Sequence, residues 1–459
     1  MRWVAFSSVF AGLSGYAIIL LATSTFGADH RFEIFNVFWG LFFALHGILL
    51  GIMHETTRAV RVSTGGADAG DDPTADLLLT DPVRAEQTAR RRDERARPLP
   101  VAFGIGLVTG GLVAATSPLW AWNLLGAMAP LGVALASVAL TLVAVQAVLF
   151  GLLSGSGRWS RYGKLLCVEA LARIGVAGIA IVSGDPLAGF LYATVAGVVV
   201  VPVILLLPGT RTLVSLRADV RRGELARRTL GAMLAASAAA MLVVGFPVLI
   251  KAARPDTDPV VMSNLLLAVT LTRAPILMPI TSFQNAIVVY FVDRASHGRR
   301  VLLGPCGIVF GVAVIGSLLA WLIGEPIIAF MGEGFSVGGQ VLAALTFAAG
   351  FTGMLFVTGS AVLARERHGV YVAGWWTASI AAAVLLVVVP GAVVATVLAL
   401  SAGPLAGALV HVAFGMRRPA GGAEQVPHGP AGVVGAPRDL EPTGTTSADT
   451  AERADEAGT

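Results

Sequence analysis

The sequence predicts an all-α integral membrane protein of about 12 transmembrane helices, arranged as two six-helix bundles (6+6) with both termini cytoplasmic. Three observations predict this class. Hydrophobic residues make up 56% of the 459 residues and charged residues 13%, roughly half the charged fraction of soluble domains. The apolar residues gather in runs of about the 20 residues that a helix needs to cross a bilayer. The cations lie almost entirely in alternate connections between these runs.

Twelve apolar runs define the predicted spans, and each must be helical because backbone groups in lipid have to be satisfied within the segment. The third run is short unless it borrows residues 116–122, and the eighth is long enough to tilt or break. The predicted spans are 3–24, 32–54, 101–116, 127–153, 162–183, 187–207, 229–250, 260–292, 301–323, 338–363, 370–388 and 392–415.

The distribution of Lys and Arg predicts the orientation of the chain. With the N-terminus inside, 27 of the 32 cations fall on the cytoplasmic side, and only Arg31, Lys251 and Arg254 fall on the other. The positive charge is therefore topogenic and does not indicate nucleic-acid binding. The first run also resembles a signal peptide, but its length and the span that follows at once favour a retained helix.

The runs and the polar stretches between them predict the domain organisation. Residues 1–207 form an N-terminal six-helix bundle with a charged cytoplasmic loop at 55–100, and 229–416 form a C-terminal six-helix bundle. The basic segment 208–228 joins the two as a cytoplasmic linker. The tail 417–459, rich in Gly, Pro, Thr, Asp and Glu, is predicted to be disordered. Two six-helix halves around a midplane site are typical of secondary transporters.

Arg273 is the first candidate for a substrate-binding residue in a central cavity. It lies near the middle of the eighth span, where an unpartnered Arg costs about 2.5–3.5 kcal/mol, and no acid stands three or four residues away. Pro275 removes a helix hydrogen bond beside it. These features indicate a cation that lines a cavity and meets an anionic head group; the alternatives are an interhelical structural bond or snorkelling.

The other candidates are polar residues within spans. Glu169 and Arg173 stand four residues apart in the favourable acid-then-base order, so they either neutralise each other or share the Arg with a ligand. Gln284 and Asn285 are candidates for binding sugars, with interhelical hydrogen bonding as the alternative. His46 is either a titrating group or a packing residue. Glu169 is the only carboxylate that the sequence places clearly inside the membrane.

No motif predicts catalysis, a metal site or a cofactor. The sequence has no Walker-type phosphate loop, zinc spacing or nucleophile elbow. Cys167 and Cys306 both lie in apolar runs, where they are expected to be buried small hydrophobes. The chain is therefore expected to be no enzyme, and its predicted location is the bacterial cytoplasmic membrane as a multi-pass protein.

Several local patterns carry a resemblance to a known family across most of 1–415. They are Gly51-Ile-Met-His-Glu-Thr-Thr-Arg58, Gly151-Leu-Leu-Ser-Gly-Ser-Gly-Arg-Trp159, Glu169-Ala-Leu-Ala-Arg173, Leu271-Thr-Arg-Ala-Pro275 with Gln284, Phe330-Met-Gly-Glu-Gly-Phe335 and Leu363-Ala-Arg365. With twelve spans, the sequence resembles the polysaccharide-exporter (Wzx-like) branch of the multidrug/oligosaccharidyl-lipid/polysaccharide (MOP) flippase superfamily, in its actinobacterial form. The resemblance implies translocation of a lipid-linked oligosaccharide or polysaccharide precursor, with Arg273 and Arg173 as the cavity cations.

The partners implied are the lipid-linked glycan, membrane lipids, and a glycan polymerase or glycosyltransferases. Three other functions stay open. A drug/cation antiporter or a major-facilitator carrier would share the span count, although the first span lacks the carboxylate that a drug antiporter uses. A membrane glycosyltransferase or ligase would need a large catalytic outer loop, and the longest outer stretch, about 324–337, holds only two Glu. A non-transporting cell-envelope scaffold would show the same pattern.

Overall fold

The structure, a computed structural model, describes residues 2–68 and 95–416, and every regular element in these ranges is a helix. The predicted tail 417–459 and most of the predicted loop 55–100 lie outside the described residues. We number the α-helices in chain order. The first nine are α1 (Arg2–Phe26), α2 (His30–Asp68), α3 (Pro98–Thr116), α4 (Ala121–Leu125), α5 (Ala129–Gly155), α6 (Trp159–Ile181), α7 (Pro186–Val195), α8 (Val200–Leu206) and α9 (Thr210–Val214).

Eight helices remain, and the first of them begins inside the predicted linker. They are α10 (Arg222–Val243), α11 (Phe246–Ala253), α12 (Pro259–Ser282), α13 (Gln284–Asp293), α14 (Leu303–Phe330), α15 (Gly339–Leu363), α16 (His368–Val388) and α17 (Ala392–Val410). Single turns of 3₁₀-helix join α3 to α4, α4 to α5 and α7 to α8, and one π-turn, His411–Gly415, ends the described chain.

Helices occupy all twelve predicted spans, which confirms the predicted class. Within the described ranges, ten helical segments are long and apolar enough to cross a membrane, and an eleventh is the bent pair α10 and α11. The fifth predicted span, α6, is also helical but is less apolar, because Arg161, Lys164, Glu169 and Arg173 interrupt it. The chain is therefore a multi-pass membrane protein; the orientation of its termini stays a prediction.

The outer surface of the bundle carries large, exposed apolar side chains. On α14, the side chains of Ile308, Ile315, Leu322 and Phe330 are each 60% exposed or more. A soluble protein rarely leaves such a large contiguous apolar surface in water. In a bilayer the same surface contacts lipid chains, so the composition and the packing agree.

Two predicted spans are broken. The seventh bends by 67° between α10 and α11, at Val244 and Gly245. The eighth, whose length had suggested a break, divides at Phe283 into α12 and α13. Inside α12, Pro275 and Pro279 each remove a backbone donor and so weaken the helix just before that break.

α2 is the helix along which the N-terminal half (2–207) meets the C-terminal half (229–416). Gly40, Ala44, Gly47 and Gly51 are spaced four, three and four residues apart, so they share one helix face. This face lies against the bent pair: a Cβ on Gly51 would stand 2.5 Å from the Met233 nitrogen. Small residues let two backbones approach closely in a membrane. The division into two six-helix bundles stays a prediction.

Candidate functional site

A cavity of about 260 Å³ lies between the two halves near the middle of the bundle. Its lining comes from α1 and α2 on one side and from the α10–α11 bend and α12 on the other. Tyr16, Asn36, Trp39 and Arg273 supply its larger polar and aromatic groups. We call this space the central cavity.

Arg273 enters the central cavity from α12 and is buried. Its Nη2 donates to the Leu242 carbonyl oxygen at 2.9 Å, and its Cζ lies 5.5 Å from the centre of the Phe246 ring. α10 ends one residue after Leu242, so this carbonyl belongs to the last turn, whose acceptors have no partner within the helix. The bend in the seventh span therefore supplies the cation with a helix C-terminus, which favours positive charge.

Part of the Arg273 guanidinium has no acceptor among the described residues. Its Nε is buried without a hydrogen-bond partner, and no Asp or Glu of the described chain lies within ion-pair distance of it. The Nδ2 of Asn36, on α2, is a second buried donor without a partner in the same lining. None of the described lining residues is an acid. A buried donor without an acceptor is costly, so the cavity is suited to an anion or a ligand rich in acceptor oxygens.

Glu169 and Arg173 lie elsewhere, in a cluster within the N-terminal half. Arg173 Nη2 stands 2.6 Å from Glu169 Oε1, and Gln146 on α5 donates to Glu169 Oε2 at 2.8 Å. The Arg173 Cζ lies 4.9 Å from the centre of the Phe43 ring. The i, i+4 pair expected from the sequence therefore forms, and it gains an amide donor from a second helix.

His46 joins this cluster through Phe43, with ring centres 5.9 Å apart and nearly parallel planes. Arg173 also lies so close to Gly197 that a Cβ there would overlap the guanidinium. The ion pair of Glu169 and Arg173 is therefore closely packed by its neighbours. We call Glu169, Arg173, Gln146, Phe43 and His46 the N-half cluster; none of its members lines the central cavity.

Gln284 and Asn285 begin α13, beyond the break in the eighth span. The Gln284 side chain lies close to the Tyr371 side chain of α16, which is an interhelical contact. The side chain of Asn285 lies outside the described residues. Of the sequence candidates, the structure thus places Arg273 in the central cavity and groups Glu169, Arg173 and His46 in the N-half cluster.

The end of the bundle that carries the α1–α2 turn is closed by contacts between the halves. Lys251 Nζ of α11 lies 2.6 Å from Glu33 Oε1 of α2, and both groups are buried. Ser263 donates to the Asp29 carbonyl oxygen at 2.7 Å, and the rings of Phe32 and Phe335 meet edge to face at 5.2 Å. We call this closed region the gate end.

Besides Glu169, two further carboxylates, Glu33 and Glu55, are buried. Glu33 stands at the edge of the second predicted span and was not singled out from the sequence. Its neighbour Asp29 is partly exposed in the turn. Partial burial works to raise the pKa of Asp29, but the hydrogen bonds from the Arg31 side chain and the His30 backbone nitrogen, with the nearby positive charge, together outweigh it, so the pKa lies below its usual range.

At the opposite end, ion pairs connect α2 with the predicted linker. Arg58 contacts Glu55 at 2.7 Å and Asp219 at 3.0 Å. Backbone hydrogen bonds also join Ala96 to Ala218 and to Val220, at 2.8 and 2.9 Å. The central cavity reaches toward this end, since its lining on α12 runs as far as exposed Thr281.

An apolar groove of about 390 Å³ occupies the other face of α12. It is lined by Leu271, Thr272, Pro275 and Ile276 of α12, by one face of α14 and by two residues of α15. Its only polar side chains, Thr272 and Thr346, donate to carbonyls of their own helices at 2.6 and 2.8 Å. The groove is therefore suited to hydrocarbon, on the far side of one helix from the Arg273 guanidinium.

Comparison with known sequences finds a relative that spans nearly the whole chain. No family model matches the sequence. The uncharacterized protein Rv3630 of Mycobacterium tuberculosis is 36% identical over 403 residues, which are 87% of this chain and 88% of the relative.

Comparison with solved structures identifies the fold. A multidrug resistance MATE family transporter of the MOP superfamily, in an inward-facing conformation, matches with a TM-score of 0.64 over 88% of this chain and 93% of that one. The lipid II flippase MurJ, in an inward closed conformation, matches with a TM-score of 0.63 over 90% and 87%. Both are 13% identical to this chain, so they establish that the chain has the fold of MOP superfamily proteins.

Proposed function

The chain belongs to the same protein family as Rv3630, and from this premise we propose that it is an alternating-access membrane transporter. Its proposed substrate is a lipid-linked oligosaccharide or polysaccharide precursor, as in the Wzx-like branch of the MOP superfamily. The observation that carries this proposal is the pair of unpartnered buried donors, Arg273 Nε and Asn36 Nδ2, in a central cavity whose described lining contains no acid.

The chemistry of the central cavity favours an anionic head group over a drug cation. A cation would need a carboxylate, and the buried acids Glu33 and Glu169 are already paired, with Lys251 and with Arg173. A phosphate or an acidic sugar would accept from both free donors and would receive a charge-assisted bond from Arg273. The neighbouring MurJ structure is described as a lipid II flippase, which supports a lipid-linked substrate for this fold.

The size of the cavity limits what enters in this conformation. Its 260 Å³ is slightly below the roughly 300–1,000 Å³ of small-molecule pockets. It therefore accommodates the charged head group and one neighbouring unit, while a longer glycan requires the halves to separate. The gate end is closed by Glu33 and Lys251, whereas the cavity extends toward the linker end. In the predicted topology this is a cytoplasm-facing state.

The apolar groove supplies a place for the lipid tail. α12 alone separates it from the central cavity, and a helix with its side chains is about 10 Å across. The edge of α12 between the two carries exposed Pro275 and Pro279. An amphiphile with its head group beside Arg273 and its tail in the groove would wrap around this edge. The glycan polymerase or glycosyltransferases that act before and after transport stay proposed partners.

A translocation assay in proteoliposomes tests the proposal. A polyprenyl-diphosphate oligosaccharide with a fluorescent label would be followed from one leaflet to the other, with and without a proton gradient. Arg273→Ala is expected to reduce translocation tenfold to a hundredfold, because a hydrogen bond to a charged group contributes about 1.5–3 kcal/mol. Arg273→Lys should retain part of the activity.

Arg227→Ala is the matched control, since Arg227 is a solvent-exposed cation of α10 paired with Glu224. It should transport at the wild-type rate. Thermal unfolding of each variant separates loss of transport from loss of fold. Wild-type rates from folded Arg273→Ala would contradict the role of Arg273, and no translocation by the wild-type protein would contradict the proposed substrate.

A further inference from the structure

A second groove, of about 690 Å³, lies between α3 of the N-terminal half and α10 of the C-terminal half. We call it the α3–α10 groove. Its lining runs from Pro100 to Leu112 on α3 and from Arg222 to Met233 on α10. From its shape and charge we propose that it binds an anionic phospholipid, with the phosphate at Arg222 and an acyl chain between the two helices.

The body of the α3–α10 groove is apolar. Apart from Arg222, its one polar side chain is Thr109, whose hydroxyl donates to the Ile105 carbonyl oxygen at 2.9 Å. The large side chains along it are exposed, with Val108 at 63% and Leu230 at 54%. An apolar surface open to the bilayer, with no unsatisfied polar group, is suited to hydrocarbon and not to a peptide or a sugar.

The positive charge of the α3–α10 groove lies at one of its ends. Arg222 begins α10 and is exposed, and it makes no ion pair or hydrogen bond with any described residue. Arg97, directly before α3, is a second exposed cation at this end. The backbone pairing of Ala96 with Ala218 and Val220 keeps the starts of α3 and α10 together. The cations are therefore fixed where the groove meets the headgroup region.

The length of the groove matches one leaflet. Pro100 to Leu112 spans twelve residues of helix, or about 18 Å at 1.5 Å per residue. Half of a hydrocarbon core about 30 Å thick is about 15 Å. A phospholipid with its phosphate at Arg222 would thus end its acyl chain near Leu112. In the predicted topology, this is the cytoplasmic leaflet, where anionic lipids attract basic residues.

Two glycines in the groove lining, Gly104 and Gly223, leave open space in the groove. A Cβ on Gly104 or on Gly223 would meet no atom within 4 Å, so a larger side chain there would enter the groove without disturbing the protein. Because α3 and α10 belong to different halves, a lipid between them contacts both. Its binding is therefore linked to the relative position of the halves, and an anionic lipid would favour the arrangement seen here.

Titration of the purified full-length protein with phosphatidylglycerol or phosphatidylcholine, followed by native mass spectrometry, tests the inference. The wild-type protein should bind phosphatidylglycerol more tightly. Arg222→Ala should lower that affinity about fivefold, as expected for one cation near a headgroup, and should affect phosphatidylcholine less, because its choline cation offsets the phosphate charge. Gly104→Trp should remove the tightest bound lipid of either kind.

Two matched variants serve as controls. Gly111→Trp places the same side chain on α3 where a Cβ also meets nothing, but outside the groove lining. Arg227→Ala removes a cation from the same helix as Arg222. Both should bind phosphatidylglycerol as the wild type does. Equal affinity of the wild-type protein for the two lipids, or an unchanged preference in Arg222→Ala, would overturn the inference.

Discussion

Glu33 of α2 and Lys251 of α11 form a buried ion pair, with Nζ 2.6 Å from Oε1, that connects the two halves at the gate end. The Lys251 ammonium also donates to the Pro255 carbonyl oxygen at 3.1 Å, and His30 approaches the second Glu33 oxygen at 3.2 Å. In the alternating-access cycle that we propose, the two halves separate at this end, and the pair lies between them. Its rupture is therefore part of any opening at this end.

Removing one partner of this pair should open the gate end. Lys251→Ala leaves the Glu33 carboxylate buried without compensation, which costs about 3–5 kcal/mol, and opening relieves that cost by admitting water. With Cys167 and Cys306 replaced and a single cysteine at Ala28, maleimide labelling in detergent should become several times faster than in the parent protein.

The exposed pair of Arg31 and Asp29 provides the control for this experiment. It lies in the same turn at 2.8 Å, and exposed ion pairs contribute about 0–1 kcal/mol. Arg31→Ala should therefore label at the parent rate. The double change Glu33→Gln and Lys251→Met, which removes both charges, should restore slow labelling. A parent-like rate in Lys251→Ala would show that this pair does not hold the gate end closed.

The contact between α2 and α10 should be sensitive to a single methyl group. In Gly51→Ala the new Cβ would lie 2.5 Å from the Met233 nitrogen, so the backbones must move apart. Overpacking of this kind costs about 1–3 kcal/mol, and we expect a lower melting temperature in detergent. The same change at Gly111 of α3, where a Cβ meets nothing, should be neutral or stabilising by up to about 1 kcal/mol.

The positions of the spans were predictable because the hydrophobicity of a segment is a local property. Each of the twelve predicted spans is helical, and the long eighth span breaks as its length suggested. Local reasoning also found the Glu169–Arg173 pair, since partners four residues apart share a helix face. The mid-span position of Arg273 was likewise enough to single it out.

Partners from distant parts of the chain were not predictable in this way. Gln146 reaches Glu169 from another helix, and Lys251 reaches Glu33 from the other half of the sequence. Asn36 was missed because a lone amide at the edge of an apolar span carries no signal until the cavity beside it is known. The bend after Val243, which gives Arg273 its backbone acceptor, likewise depends on packing against α2.

The N-half cluster should behave as a stabilising unit. Arg173→Met leaves the Glu169 carboxylate with one donor, from Gln146, and should lower the free energy of unfolding by about 3–5 kcal/mol. Thermal unfolding of the purified protein measures this. Glu169→Gln combined with Arg173→Met should be less destabilised than Arg173→Met alone, because no charge stays buried. Additive losses would indicate that the two side chains act independently.

Asn36 should affect ligand affinity without supporting the fold. Its Nδ2 is buried and has no partner, so Asn36→Leu removes an unsatisfied donor and should leave the melting temperature unchanged or higher. If the amide donates to the head group, affinity for polyprenyl diphosphate should fall about two- to tenfold, as for one neutral hydrogen bond. Asn264→Leu is the matched control, because that amide accepts from the Ser336 nitrogen at 2.7 Å and donates to Val260 at 2.9 Å. Asn264→Leu should lower the melting temperature and leave the affinity for polyprenyl diphosphate unchanged. A lower melting temperature with unchanged affinity in Asn36→Leu would show that Asn36 supports the fold and does not bind the head group.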